Sequence, residues 1–345
     1  MIFKKVTCIF SSENVTMQIP CIGGECMLLL WIILIATALV LAVLLASFVC
    51  YRKAFYVPPR TNAHSDEIEI PEGKIYEPFR ESITQWTKEV RAMPYQVFTV
   101  TSFDNLTLYG KYYEYKPGAP IELMFHGYRG SAERDLSGGV QRSFQAGRSV
   151  LLVDQRCCGQ SDGHTITFGI YEHRDCLTWI AFMCRHFGPE VKIILTGVSM
   201  GAATVVMAGG KPLPKNVIGI LADCGYSSAR EIICKVIKDM GIPPWLGFPF
   251  VKLGARLFGH FDLEETSPLE MVKQCSVPVI FYHGEEDAFV PCEMSIALYE
   301  ACPSPKQLIT IPGAGHGLSY PVAPEYYLKT LKEFFGPEAS YKDNL

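Results

Sequence analysis

The stretch KIILTGVSMGAATVVMAGG, Lys192 to Gly210, joins an apolar run to a run of small residues, with Ser199 between Gly197 and Gly201 at the junction. Two readings fit it. Ser199 is a nucleophile raised on a strained strand-to-helix turn, or it is a serine in a tight bend whose glycines let a helix pack closely on a strand. Glycine and serine are both common, so the five-residue pattern does not separate the two readings and its surroundings have to.

Those surroundings are periodic. From residue 121 onward, short apolar runs (IELMF, SVLLVD, VKIILTG, VIGILAD, VPVIFYHG and KQLITIP) alternate with helix-length intervals. Continuous apolar strands separated in this way imply a mostly parallel sheet with helices on both faces. Upstream, QVFTVTSFDNLTLYGKYYEYK splits at Asp104-Asn105 into two β-rich runs, a hairpin signal. The sheet is therefore mixed, antiparallel first and parallel afterwards, and forms an α/β domain over residues 76–340. Phe79, Ile83, Trp86 and Val90 recur at helical spacing just before it. Between VIGILAD and VPVIFYHG the interval is too long for a plain crossover and includes MGIPPWLGFPFVKLGARLFGHF. This insertion, about 226–275, reads either as a cap on an apolar pocket or as an extra surface helix pair.

The chain of 345 residues is long enough to bury a large core, and much of its apolar excess lies in one place. Met27 to Cys50 carries no charge and exceeds the ~20 residues that cross a bilayer, which predicts a single transmembrane anchor. The run is too long for a signal peptide and ends in Phe48, Val49 and Cys50 rather than in small residues. Arg52, Lys53 and Arg60 follow it closely, while Lys4 and Lys5 lie at the far end of the short segment 1–26. This asymmetry places the C-terminal bulk in the cytoplasm. Met27 is itself a candidate start. Residues 51–75, Pro-rich and polar, read as a tether. Nine of the thirteen cysteines are scattered after residue 100 without paired spacing, as expected of free thiols in a reducing compartment. The adjacent Cys157 and Cys158 do not form a metal motif. Two glycosylation-type matches, Asn14 and Asn105, point the other way and are too short to outweigh this. A net charge of -4 gives no reason to expect nucleic acid. No pattern calls for a cofactor or a metal.

Open parallel sheets place their sites at the carboxyl ends of strands. Ser199 follows the run VKIIL at such an end. A serine hydroxyl needs a base to take its proton and a carboxylate to orient that base. In the chain order serine, acid, histidine, both lie on later loops: Asp287 in GEEDAFVP and His316 in PGAGHG. Rivals for the acid are Glu285, Glu286 and Asp223, the last at the end of VIGILAD. His283 directly precedes Gly284 and reads as structural. His64 lies in the tether, and His164, His173, His186 and His260 lie in helical or lid-like regions. The oxyanion of a tetrahedral intermediate needs two N–H donors. Met200 at the helix start and Tyr128 in MFHGYRGS are the candidates.

Taken together, LMFHGYRGS, VDQRCCGQSDG, TGVSMGAAT, HGEEDAFVP and PGAGHG, in that order, resemble the α/β-hydrolase superfamily over roughly residues 95–335. Within it they resemble membrane-anchored BEM46-type and S33-like hydrolases. The resemblance implies Ser199 as nucleophile, His316 as base, Asp287 as acid and Tyr128 and Met200 as the oxyanion hole. It also implies that the loop of Asp154, Arg156 and Gly159 is structural, with Cys157 where glycine is more usual and Arg156 making ion pairs beneath the site. The expected activity is a serine hydrolase acting on carboxylic esters or thioesters with acyl or lipid-like groups. The alternatives are an S33-like peptidase or amidase, and a non-catalytic hydrolase fold used as a binding module.

Overall fold

In the computed structural model the described residues are 24–58, 68–71 and 73–336, with the backbone of a short antiparallel pair, Lys4–Lys5 and Gln18–Ile19. Eight strands form one sheet: β1 Gln96–Thr101, β2 Thr107–Tyr113, β3 Ile121–Phe125, β4 Ser149–Asp154, β5 Ile193–Val198, β6 Val217–Asp223, β7 Val279–Gly284 and β8 Lys306–Ile311. Their order is β8-β7-β6-β5-β3-β4-β2-β1. From β4 to β8 every neighbouring pair is parallel, and β1 and β2 are antiparallel as the hairpin signal predicts. Asn105, at φ 65°, supplies the left-handed residue of that hairpin turn.

All five residues of β3 are buried, because helices cover both of its faces. Leu123 and Phe125 point to one side, where Trp179 and Cys176 of α4 (Glu172–His186) and Ala202 and Val205 of α5 (Met200–Gly209) fill the core. Met124 points to the other, against Leu136 and Val140 of α3 (Ala132–Gln145) and Val90 of α2 (Arg80–Ala92). On that same side α10 (Ser319–Val322) and α11 (Pro324–Phe335) bring Tyr320, Tyr327 and Leu331 onto Ile280 and Tyr282. The predicted helix around Ile83 and Val90 is α2, preceded by a 3₁₀ turn over Lys74–Phe79.

The apolar N-terminal run is part of one helix, α1, Gly24–Ala54, which is long and apolar enough to cross a membrane. Its end departs from the expected tether. Residues 51–58 are docked on the domain: Tyr51 and Phe55 are buried, Phe55 meets the Phe168 and Phe261 rings edge-on, and Tyr56 pairs with Thr165. Aromatic side chains there find apolar partners, so this part of 51–75 is a structural joint. Residues 59–67 of the expected tether, with His64, lie outside the described residues.

The insertion forms α6 (Ala229–Asp239), α7 (Pro244–Phe258) and the short α8 (Pro268–Val272). The helix pair α6–α7 packs beside α1. Gly254 lies where any side chain would overlap the Ser47 carbonyl and crowd Tyr51, so α7 and α1 approach closely.

Candidate active site

The junction that opens the sequence argument is a sharp turn between β5 and α5. Ser199 has φ 56° and ψ -117°, outside the regions an L-residue favours. Both glycines are required by close packing. A side chain on Gly197 would run into the backbone of Gly201, and one on Gly201 would run into the Phe125 carbonyl at the end of β3. The turn is fixed further by the Ser199 N–H, which donates to the Asp223 carbonyl at 2.8 Å. Close packing and exposure of the hydroxyl are therefore one requirement.

His316, on the loop after β8, places Nε2 2.9 Å from Ser199 Oγ and Nδ1 2.7 Å from Asp287 Oδ2. Asp287, on the loop after β7, accepts N–H bonds at Oδ1 from Phe289 at 2.9 Å and Val290 at 2.8 Å. Its burial opposes ionisation, but the hydrogen bonds from His283 and His316 outweigh it and hold the carboxyl well below the usual range. The structure thus brings Ser199, His316 and Asp287 into one hydrogen-bonded line. Asp223 is not in that line: its carboxylate faces Ser319 and Tyr327 at 2.8 and 3.1 Å. Glu285 is also elsewhere, accepting from the Thr310 hydroxyl.

Met200 and Tyr128 approach the serine from two sides. Among the described residues neither backbone N–H has a hydrogen-bond partner, and the Met200 N–H is the first of a helix, where anions are favoured. The Tyr128 loop is held as a tight turn: Gly130 N–H donates to the Gly127 carbonyl at 3.2 Å, and Gly127 N–H donates to Asp135 Oδ2 at 3.1 Å. A Cβ on Gly127 would lie 3.6 Å from Ser199 Cβ, so loop and serine are in contact range. Buried His126 supports the loop from beneath. Its Nε2 accepts from the Gln155 N–H at 3.1 Å, which leaves Nδ1–H to donate to the Gly127 carbonyl at 2.8 Å. Burial pushes its pKa down, in keeping with a neutral ring.

Three contributors were not legible as site residues. His283 touches Asp287 Oδ2 at 3.4 Å while its ring nitrogens engage Ser295 Oγ at 2.6 Å and the Val290 carbonyl at 2.8 Å. Its pKa is raised: burial opposes the charge, and the Asp287 and Val290 hydrogen bonds overcome it. Tyr76, just past the expected tether, donates to the His316 carbonyl at 3.0 Å and lines the cleft. Phe289 meets the His316 ring edge-on with centroids 5.1 Å apart. The cleft at Ser199, about 220 Å³, is walled by Pro71, Tyr76, Tyr128, Phe289, Arg134 and Asp135. No residue of the 226–275 insertion is among its lining.

The loop of Asp154, Arg156 and Gly159 is structural. Arg156 binds Asp175 through two 2.7 Å bonds and Asp104 at 3.0 Å, fastening the β1–β2 turn to α4 rather than lying under the serine. Cys157 adopts φ 67°, the glycine-like conformation, and a side chain at Gly159 would overlap the Asp154 carboxylate.

A family model described as the alpha/beta hydrolase fold matches residues 123–247. The uncharacterized protein YqkD of Bacillus subtilis is 29% identical over 189 residues, 54% of this chain and 62% of its own. Protein bem46 of Schizosaccharomyces pombe is 23% identical over 192 residues, 54% of this chain and 58% of its own. The matched region thus spans about three fifths of these relatives. Among solved structures, the Pyrococcus furiosus esterase Pf2001 superposes with a TM-score of 0.59 at 22% identity, covering 78% of this chain and 98% of that one. The ferulic-acid-bound Est1E of Butyrivibrio proteoclasticus gives 0.52 at 19% identity, over 69% and 97%.

Proposed function

Because the chain belongs to the α/β-hydrolase superfamily, we propose that it is a membrane-tethered serine hydrolase that cleaves carboxylic esters or thioesters through an acyl-enzyme. The observation that carries this reading is the hydrogen-bonded line from Ser199 through His316 to Asp287, with the Met200 and Tyr128 N–H groups beside it unpartnered among the described residues. Ser199 Oγ attacks the acyl carbonyl while His316 Nε2 takes its proton. Asp287 holds the other ring nitrogen and stabilises the imidazolium. The oxyanion settles against the Met200 and Tyr128 N–H groups, and the leaving group departs with the proton from His316. Water then enters, gives a proton to the same histidine and releases the acid.

The cleft supports an apolar acyl group. Its aromatic walls are Tyr76, Tyr128 and Phe289, and its two charged residues, Arg134 and Asp135, neutralise each other at 2.7 Å. Helix α1 supports the tether, and the basic residues after it support a cytoplasmic domain. A fluorophosphonate probe tests the chemistry on folded chain: wild type is expected to label and Ser199→Ala is not. Ester or thioester turnover is expected to fall by roughly four to six orders of magnitude in that variant. An unlabelled, folded wild type would leave only the binding-module alternative. Faster turnover of aminoacyl anilides than of p-nitrophenyl esters would favour the amidase.

A further inference from the structure

The insertion that does not line the cleft has another use. The segment Met240–Val251, MGIPPWLGFPFV, carries no charge and lies between Asp239 and Lys252. It forms the turn between α6 and α7 and the first half of α7. Its apolar side chains are not all packed. Met240 is 66% exposed, Trp245 77% and Leu246 48%. Water does not favour such a cluster at a protruding tip.

Two further observations identify what covers it. The first is direction. Ser47 and Tyr51 of α1 face Gly254, Tyr51 also meets Phe258 and Phe55 meets Phe261, so positions on the two segments advance together. Helix α7 therefore runs alongside α1 in the same sense, and its N-terminus points back along the apolar run. Trp245 lies nine residues before Gly254, about 13 Å along a helix at 1.5 Å per residue. That carries the tip past Ser47 and into the level of the uncharged segment of α1. The second is the backbone. In lipid each peptide N–H must be bonded inside the protein. The N–H groups of Met240, Gly241 and Ile242 bond to carbonyls of α6, and those of Leu246 and Gly247 bond to the Pro243 carbonyl. Pro243 and Pro244 have no N–H at all. Of the N–H groups from 240 to 247, only that of Trp245 has no partner among the described residues, so the tip loses little on leaving water.

From these we infer that the α6–α7 tip inserts into the same bilayer leaflet as the adjoining end of α1, as a second membrane contact. This rests on α1 being a membrane span. The consequence for the site is positional. The end of α1 accepts the Tyr128 hydroxyl at the Ala54 carbonyl, 2.8 Å, and Lys235 of α6 donates to the Ala288 carbonyl beside Phe289. Both membrane contacts thus hydrogen-bond to the rim of the cleft, at Tyr128 and beside Phe289.

The test uses the full chain in phosphatidylcholine vesicles whose acyl chains are brominated near the ester end or near the methyl end. Tryptophan emission is compared among wild type, Trp245→Phe and Trp31→Phe, so that each difference reports one residue against the background of Trp86 and Trp179. The share from Trp245 is expected to fall about twofold or more with at least one of the two bromine positions, as for a tryptophan in contact with acyl chains. Quenching of the Trp31 share without quenching of the Trp245 share would overturn the insertion, leave α1 in the membrane and assign the tip to a protein partner. Loss of quenching at both residues would overturn the insertion together with the membrane tether.

Discussion

Asp223 and Asp287 are two buried aspartates near the carboxyl ends of neighbouring strands, and their environments drive them in opposite directions. Asp223 ends β6, and its carboxylate meets two hydroxyls, Ser319 and Tyr327. Burial dominates there and raises its pKa. Asp287 lies just past β7 and meets two backbone N–H groups and two imidazoles. Burial acts on it too, but those donors hold it ionised. The difference shows that position at a strand end does not by itself make a triad acid. The number and charge of the donors decide which carboxylate can stabilise an imidazolium. Asp223 reaches Ser199 only through its backbone carbonyl, which fixes the turn, while its side chain points to α10 and α11 on the far side of the sheet.

The largest expected effect breaks this contrast or confirms it. Asp287→Asn removes the charge opposite His316 and offers an amide that favours the wrong tautomer, so kcat is expected to fall by roughly 10⁴-fold. Asp223→Asn is expected to stay within about tenfold of wild type and to show its effect in thermal stability. Parallel measurement of kcat on one p-nitrophenyl ester decides it. A greater loss in Asp223→Asn than in Asp287→Asn would transfer the acid to β6.

Why the pair was distinguishable in sequence, and the rest of the site was not, follows from how far each signal reaches. The apolar runs mark the parallel strands because burial on both faces removes polar residues, and this makes β3 to β8 readable one by one. Ser199, Asp287 and His316 stand out because the chemistry needs those types just after those runs. His283 sits inside an apolar strand, and its value depends on a loop that folds back to put Val290 and Asp287 on one ring nitrogen. Tyr76 follows a polar stretch that reads as a tether, and it reaches His316 across 240 residues of sequence. The aromatic joint at Tyr51, Phe55 and Tyr56 was hidden for a related reason: a run apolar and long enough to cross a membrane and a Pro-rich tract bracket it, and each dominates its own window.

A smaller effect is expected at His283, whose contact with Asp287 gives it a positioning role. His283→Ala removes one imidazole from the carboxylate and empties a buried site, so kcat/KM is expected to fall about 10- to 100-fold. A purely structural role would predict the same loss of stability without any change in Asp287. The distinguishing readout is the titration of the Asp287 carboxyl by NMR, which is expected to move up toward the ordinary range in His283→Ala. His283→Gln, which retains an N–H donor, is expected to restore part of both activity and titration. An unmoved carboxyl would show that His283 packs without positioning.

The smallest effect tests the opposed pKa directions directly. The folded-state pKa of Asp287 is depressed, so its contribution to stability is present above the ordinary carboxylate value of about 4 and is lost as pH falls through the folded value. That of Asp223 is raised, so its contribution is present below about 4 and is lost as pH rises toward the folded value. Below about pH 4, down to its folded value, Asp287 therefore makes stability rise with pH, and above about pH 4, up to its own folded value, Asp223 makes it fall. In Asp287→Asn, Tm is expected to rise less steeply with pH than in wild type. In Asp223→Asn it is expected to rise more steeply. Each pKa unit corresponds to about 1.4 kcal/mol, or a few degrees for a domain of this size, within reach of calorimetry in detergent. Slopes that change in the same direction in both variants would mean that the two carboxylates do not differ in the way their donors imply.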